Sequence, residues 1–465
     1  MLMMDKTSKT PLYIQLYEQI RTDILNGIIK PGIKLRSHRK TSEDLKIGRN
    51  TVKLAYDRLQ AEGFITRIPR KGYYVGSLIA ERFHKTNAMN FLEAAEQPHK
   101  KVDYDFRGGK LLLSELPCRQ WQKFLNKCFH DYRESLTSQG SAFGETGLRA
   151  EIQKYLHDYR NVHCTTEQIV VGAGTQFCLG IACQILKTRV QDCSVAVEEP
   201  GYDQSRITLQ NNGFQILPVG LDEYGLDVDT MDATDARVVY VTPSHQFPAG
   251  MVMPMGRRAQ LAEWAVRRNA YIIEDDYNFH FQYDLRPLFS LQSFCTDRVI
   301  HIGSFSDLLF PCICVSYMVV PGNLLEELHK RFAHYAPFVP SLTQKPLELF
   351  MKEGYLESHL RKTKKRQREK REALVGALKN TFGDSISISG FQVGLHLLVQ
   401  PKWPADEDEL IRRAYQAGVG VYPVSKYWSH PKYNKNGPVL LNYGGVALAH
   451  IPVAVNLLHQ AWLEK

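Results

Sequence analysis

The chain has 465 residues, 44% hydrophobic and 23% charged, which supplies apolar surface for two or three globular units and excludes a disordered or fibrous class. No run approaches the roughly 18 uninterrupted apolar residues that cross a bilayer. The opening M-L-M-M-D-K-T-S-K-T-P lacks the basic stretch, apolar run and cleavage site of a secretion signal, so a cytoplasmic protein with no membrane partner is expected. Nine cysteines, odd in number and without a C-x-x-C unit, argue against a disulfide framework and a structural zinc. Buried thiols and no metal site are the expectation.

The net charge is +9, and its distribution is more informative than its size. Residues 1–78 carry 15 Lys and Arg against 7 Asp and Glu, a net of +8, which leaves the rest of the chain close to neutral. A basic N-terminal module on a near-neutral body is the layout of a nucleic-acid reader joined to a second function.

In chain order, Thr10-Pro11 reads as an N-cap with proline at the first helical position. Tyr13, Leu16, Tyr17, Ile20 and Ile24 then recur at helical spacing, and Gly27 ends the helix. Pro31-Gly32 turns the chain, and a short helix is expected over about His38–Leu45. In R-N-T-V-K-L-A-Y-D-R-L-Q-A-E-G, Val52, Ala55, Tyr56 and Leu59 share one apolar face, while Arg49, Asn50, Thr51 and Lys53 crowd the exposed start. A recognition helix meets base edges and phosphates with that end. Phe64 to Arg67 and Tyr73 to Val75 alternate around Arg70-Lys71-Gly72, which predicts a two-stranded wing with a basic tip.

These elements compose a winged helix-turn-helix. The stretches P-L-Y-x-Q-L, P-G-x-K-L, R-N-T-V-x-x-A-Y-x-x-L-x-x-E-G-F-I and G-Y-Y-V resemble the GntR family over the whole module, residues 10–78. The resemblance implies binding to double-stranded operator DNA through Arg36, Arg39, Arg49, Asn50, Thr51, Lys53, Arg70 and Lys71. Three positions depart from the family. Arg36 stands where proline is usual, Thr41-Ser42 replace Leu-Ala, and Gly48 replaces the serine that caps the recognition helix. A basic helical domain with a purely structural role is the alternative; pattern and charge together favour DNA binding.

Residues 79–102 are polar, charged and aperiodic, and read as a linker. From residue 103 to 465, short β-like apolar segments alternate with helical ones, the pattern of a doubly wound α/β domain. Val170-Val171-Gly172-Ala173-Gly174-Thr175-Gln176 is a strand feeding a glycine turn and a helix N-terminus, a setting suited to phosphate. Glu199-Pro200-Gly201-Tyr202, Thr242-Pro243-Ser244-His245-Gln246-Phe247-Pro248-Ala249-Gly250 and the strand end Glu274-Asp275-Asp276-Tyr277 follow. Open α/β sheets place ligands at such carboxyl edges. A basic run, K-T-K-K-R-Q-R-E-K-R, lies on a long helix after Glu353-Gly354-Tyr355 and reads as a solvated face.

Taken in order, these motifs and Gly303–Tyr317, G-S-F-S-D-L-L-F-P-C-I-C-V-S-Y, resemble the fold-type I aminotransferase domain of MocR-type regulators. There the loop usually reads G-[ST]-F-S-K-x-L-x-P-x-x-R-x-[GS]-Y, and its lysine holds pyridoxal phosphate as a Schiff base. The implied fold is an N-terminal winged helix-turn-helix plus a fold-type I transferase-like α/β body, with a smaller C-terminal α+β subdomain over about 345–465. The implied pocket is Gly174, Thr175, Gln176, Tyr202, Asp275, Tyr277, Ser304, Ser306, Asp307 and Cys314. By resemblance Asp275 faces the pyridine nitrogen and Tyr277 the ring oxygen.

Three positions have lost the family chemistry. Asp307 stands at the lysine, Cys314 at the arginine that pairs with the cofactor phosphate, and Leu440 at the arginine that takes a substrate carboxylate. A carboxylate offers no amine for a Schiff base, and it adds on the order of 1–4 kcal/mol of repulsion toward a dianionic phosphate. The expectation is therefore a homodimeric regulator without catalytic residues. No covalent pyridoxal phosphate is expected, and the pocket is left to noncovalent pyridoxal phosphate or another small anion as effector. Two alternatives stand beside it: a working aminotransferase with a DNA-binding arm, and a redox-responsive regulator acting through Cys312 and Cys314, which would share a face on a strand.

Overall fold

The computed structural model describes residues 4–5, 8, 10–76, 102–190, 192–284, 288–429 and 437–463. The chain divides into two units, 1–100 and 101–465, and each is described by itself. The expected linker lies outside the described residues except for Val102.

In the first unit, helix α1 spans Leu12–Leu25 and buries Leu16, Tyr17, Ile20 and Ile24, the residues its 3.6-residue period puts on one face. It begins one residue later than the sequence suggests: Pro11, with φ −56° and ψ 140°, is the cap residue itself rather than the first helical residue. Helix α2, His38–Leu45, matches the expected bounds, and the Ser37 hydroxyl accepts from the Lys40 amide at 3.3 Å to cap it. Helix α3, Arg49–Ala61, buries Val52, Ala55, Tyr56 and Leu59, as its pattern predicts. Burying a side chain such as Leu16 or Leu59 contributes about 1.5–3 kcal/mol. The unusual Thr41-Ser42 pair has a local role. The Thr41 hydroxyl meets the Tyr56 hydroxyl at 3.2 Å, and Ser42 donates to the Ile47 carbonyl at 2.6 Å.

Strands β1 (Ile65–Ile68) and β2 (Gly72–Val75) pair antiparallel, Ile65 opposite Val75. Lys34 bridges to Tyr74, and the Leu35 amide donates to the Tyr73 carbonyl at 2.8 Å, so the segment before α2 joins the wing.

The second unit opens with β3 (Tyr104–Asp105) and continues with β4 (Ile169–Gly172), β5 (Ser194–Glu199), β6 (Gln215–Asp222), β7 (Gly225–Leu226), β8 (Val238–Val241), β9 (Tyr271–Asp275), β10 (Val299–Ser304) and β11 (Ser316–Val319). β4 to β11 form one sheet in the order β4-β11-β10-β9-β8-β5-β6-β7. Neighbours from β10 to β6 run parallel, and β11 runs antiparallel between β4 and β10. Strands such as V-V-Y-V are buried throughout because both faces are covered. Val238, Tyr240 and Ile273 enter one core, and Val239, Val241 and Ile272 the opposite one, the two-residue alternation of a pleated strand.

A smaller sheet contains β12 (Ile386–Ser389), β13 (His396–Pro401), β15 (Tyr422–Pro423) and β16 (Val439–Asn442), in the order β12-β13-β16-β15 and antiparallel throughout. The helices Tyr355–Phe382 and Ile451–Leu463 pack together beside it. β14 (Val419–Gly420) pairs parallel with β3. The Phe106 amide donates to Gly420 and its carbonyl accepts from Asn442, both at 2.8 Å, so the first residues of the body are laced into this subdomain.

The basic run on Tyr355–Phe382 is a solvated face only in part. Lys370 is buried, 2.8 Å from Glu115 and 2.9 Å from the Gly444 carbonyl, and Arg371 is buried 2.6 Å from Asp284. Among the described residues, no helix is long and apolar enough to cross a membrane.

Candidate functional site

In the first unit the start of α3 is capped by Gly48 with no side-chain hydrogen bond, so its leading amides lack an intrahelical acceptor. Arg49, Asn50 and Lys53 are exposed there, Thr51 is half-buried, and Arg70 and Lys71 are exposed at the turn between β1 and β2. Arg70 holds a positive φ of 63°, which bends the wing tip. Arg49, Lys53, Arg70 and Lys71 have no ion-pair partner among the described residues. Arg36 and Arg39 are exposed but engaged, Arg36 with Asp44 and Arg39 with Glu43 at 3.2 Å. Leu54, 53% exposed on α3 and one turn from Asn50, escaped the sequence reading because a lone surface leucine carries no periodic signal.

In the second unit the sheet register aligns the strand ends that carry several of the expected pocket residues. Gly172 pairs with Ser316, Ser316 with Ser304, and Ile302 with Asp275, so the ends of β4, β10 and β9 come side by side. Gly174 has φ +93°, a left-handed conformation that glycine adopts without strain, and it begins the helix Thr175–Leu186 with no side-chain cap. The first intrahelical bond runs from the Cys178 amide to Gly174, which leaves the amides of Thr175, Gln176 and Phe177 as donors for an anion. Nearby, Gln204 accepts from Gln176 at 2.6 Å and from the Tyr202 hydroxyl at 2.9 Å.

Asp275 ends β9 and is 4% exposed. Its Oδ2 accepts from the Tyr240 hydroxyl at 2.6 Å, while Oδ1 is buried without a partner. Burial pushes its carboxyl up to about 6 despite the Tyr240 bond. The Tyr277 hydroxyl is also buried without a partner, and burial followed by the Asp275 charge holds it well above the usual phenol range. Glu198, at the end of β5, accepts from the Thr242 hydroxyl at 2.6 Å and keeps Oε1 unpartnered; burial pushes it up to about 7. His245 is 1% exposed with neither ring nitrogen partnered, and burial holds it neutral. A Cβ on Gly394 would lie 1.8 Å from its ring, so that close approach requires glycine.

Asp307 is half-buried in the loop after β10, and its Oδ2 accepts from Asn278 Nδ2 at 3.3 Å. Burial raises its carboxyl above the usual range, and the Asn278 bond opposes that. The Ser306 amide donates to the Ser304 hydroxyl at 3.2 Å. Leu440 on β16 is 3% exposed among Leu398, Val424 and Tyr427, with Phe247 and Tyr422 packed against them.

The expected strand through Cys312 and Cys314 does not form. Pro311–Ile313 is a single 3-10 turn, and Cys314 adopts a left-handed φ of 47° with its thiol 3.5 Å from the Pro311 carbonyl. Both thiols are exposed, as is Cys118; only Cys128, Cys178 and Cys183 are fully buried, so the expectation of buried thiols holds for part of the set.

Behind Asp275 lies a buried charge network that the sequence did not disclose. Arg160 grips Asp276 bidentately at 2.6 and 3.1 Å and donates to Ser244 at 2.8 Å. Glu274 accepts from the Leu291 amide at 2.8 Å, meets His301 at 3.1 Å and lies 3.7 Å from Arg258. Glu274, Asp276 and His301 lie close enough together to hold a metal ion. Their charge is instead met by two guanidiniums.

Pyridoxal phosphate is the group this fold implies. Asp275 Oδ1, the Tyr277 hydroxyl and the Thr175 to Phe177 amides fit its ring and phosphate. Asp307 supplies no amine for a Schiff base at its position, and Cys314 no guanidinium for the phosphate.

Residues 12–75 match the family model for bacterial regulatory proteins of the gntR family, and residues 105–427 match aminotransferase class I and II. The chain is similar to the uncharacterized HTH-type transcriptional regulator YdeL of Bacillus subtilis, 34% identical over 99% of this chain and 98% of that one. It is 29% identical to the probable rhizopine catabolism regulatory protein MocR of Rhizobium meliloti, over 100% of this chain and 96% of the relative. Among solved structures, an archaeal alanine:glyoxylate aminotransferase superposes with a TM-score of 0.72 at 21% identity, covering 84% of this chain and 96% of its own, which is a likeness of fold.

Proposed function

The chain belongs to the gntR family of bacterial regulators, in the MocR-type arrangement with an aminotransferase class I and II domain, and from that premise we propose a catalytically inert, ligand-sensing, dimeric operator-binding regulator. Arg49, Asn50, Thr51 and Lys53 read the DNA from the start of α3, and Arg70 and Lys71 hold the phosphates from the wing. Arg36 and Arg39 contribute long-range charge, since each already has an acidic neighbour.

The observation that carries the inert reading is Asp307. It occupies the place of the Schiff-base lysine in the loop's resemblance, in a setting that raises its proton affinity and supplies no amine. Pyridoxal phosphate, when bound, supplies an electron-withdrawing ring to a reacting amine. Here Asp275 would pair with the ring nitrogen, Tyr277 would donate to the ring oxygen, and Gly174, Thr175, Gln176, Ser304 and Ser306 would surround the phosphate. The apolar neighbours of Leu440 offer nothing to orient a substrate carboxylate.

The purified full-length protein, mixed with pyridoxal phosphate and reduced with borohydride, is expected to give no peptide adduct within 303–317 and no visible-range band above that of the free compound. A stoichiometric adduct on any lysine overturns the inert reading and makes the chain an aminotransferase with a DNA-binding arm. Sedimentation of the full chain checks the dimer, and a monomer at micromolar concentration overturns that part.

A further inference from the structure

Glu198, Asp275 and Asp307 have no ion-pair partner among the described residues, and all three act on the Tyr277 hydroxyl. Asp275 and Glu198 are 4% and 3% exposed, and each keeps one oxygen without any protein partner. The contrast with their neighbours is informative. Glu274 and Asp276, one residue to either side of Asp275, are met by Arg258 and Arg160. At this strand end Glu274 and Asp276 are neutralised by guanidiniums, whereas Asp275 between them and Glu198 are not. Burial raises the proton affinity of all three carboxyls, and a cationic group beside one of them is what offsets the cost of ionising it.

The positions say where that charge lies. Asp275 ends β9 beside β10, and Asp307 accepts a hydrogen bond from Asn278, the residue that follows Tyr277. The Tyr277 hydroxyl has no partner, and the charges of Asp275 and Asp307 both act on it and on Tyr202. A pyridinium with a ring hydroxyl and an adjacent ammonium has that order of groups. An aldehyde presents only a dipole to Asp307, and an alcohol only a neutral donor.

We infer that this pocket takes the aminomethyl form of the vitamin B6 ring, a pyridoxamine, noncovalently, with its ring nitrogen on Asp275 and its ammonium on Asp307. The assignment rests on the reading of the body as a noncovalent sensing module. Asp307 then becomes the residue that selects amine over aldehyde and alcohol, through a charge-assisted hydrogen bond. The Thr175 to Phe177 amides accommodate a phosphate on the same ring, so pyridoxamine and pyridoxamine 5′-phosphate share the recognised chemistry.

Calorimetric titration of the full-length protein tests this with two matched pairs: pyridoxamine against pyridoxine, and pyridoxamine 5′-phosphate against pyridoxine 5′-phosphate. The amine is expected to bind roughly tenfold or more tightly than the alcohol, the difference between a charged and a neutral hydrogen bond. The pair that shows it identifies the phosphorylated or the free ligand. Asp307→Asn is expected to bring amine and alcohol within about twofold while leaving alcohol binding in place, and circular dichroism verifies its fold. Equal binding of amine and alcohol to the wild type, or a preference that survives Asp307→Asn, overturns the role of Asp307 while ligand sensing stands. No binding by any of the four compounds overturns both.

Discussion

Arg160 and Asp276 form a fully buried, two-point ion pair, Nε to Oδ2 at 2.6 Å and Nη2 to Oδ1 at 3.1 Å, joining the helix Thr146–Arg160 to the end of β9. The Arg160 guanidinium also lies 4.8 Å from the Phe279 ring centroid. Removing one partner of such a pair strands the other charge. Arg160→Ala is expected to destabilise the body by about 3–5 kcal/mol. Arg160→Met with Asp276→Asn is expected to cost less, because neither change leaves a bare charge. Denaturant midpoints of the two variants check the order, and a double variant weaker than Arg160→Ala contradicts it.

The pocket acids predict a stability that falls as pH rises. Burial moves Glu198 from 4.5 up to about 7, so the folded chain holds this proton more tightly than the unfolded chain. The stabilisation from that proton is complete below 4.5 and is lost as pH climbs through about 7. Asp275, pushed up to about 6, acts in the same direction. Glu198→Gln is expected to remove a loss on the order of 3 kcal/mol across this window. Thermal midpoints measured from acidic to mildly alkaline pH give the test, and a variant that declines as steeply as the wild type rules out Glu198 as the source.

On DNA, Arg49→Ala is expected to cost about 1–3 kcal/mol of specific affinity and to relax sequence preference, whereas Arg70→Ala weakens binding evenly across sequences and lowers the salt slope by about one. Footprinting on the protein's own upstream region, followed by anisotropy titrations at several salt concentrations, separates the two. Undiminished operator affinity in the Arg49 variant would displace α3 as the reading element.

Asp307→Lys alone is expected to gain little borohydride-fixed pyridoxal phosphate, because Cys314 leaves the phosphate without a guanidinium. Asp307→Lys with Cys314→Arg supplies both groups and is expected to be labelled at position 307. Transamination should stay poor while position 440 is leucine. Mass spectrometry of the reduced protein locates the label, and strong labelling of the single variant shows that the backbone amides suffice for the phosphate.

Local periodicity carried much of this fold. The buried face of α3, the bounds of α2 and the glycine turn at Gly174 are set by residues within a few positions of one another, so they are legible in the chain. The buried network was not. Arg160 and Asp276 are 116 residues apart, as are charged residues elsewhere that never meet. Tyr240 was hidden for a related reason: in V-V-Y-V it reads as a β-forming aromatic, and only the neighbouring strand shows its hydroxyl to be the partner of Asp275. Cys314 failed differently, since a left-handed residue after a short turn breaks the two-residue alternation that placed it on a strand.

The pairing of Tyr104–Asp105 with Val419–Gly420 fixes where the body is harnessed. Residues 103–106 are stitched to the small subdomain by the Asp103, Tyr104 and Phe106 amides and by the Asn442 bond to Phe106. The first residues of the body are therefore hitched to the small subdomain, through β14 and through the end of β16, and, among the described residues, not to the eight-stranded sheet. Movement of the small subdomain within the body would carry residues 103–106 with it.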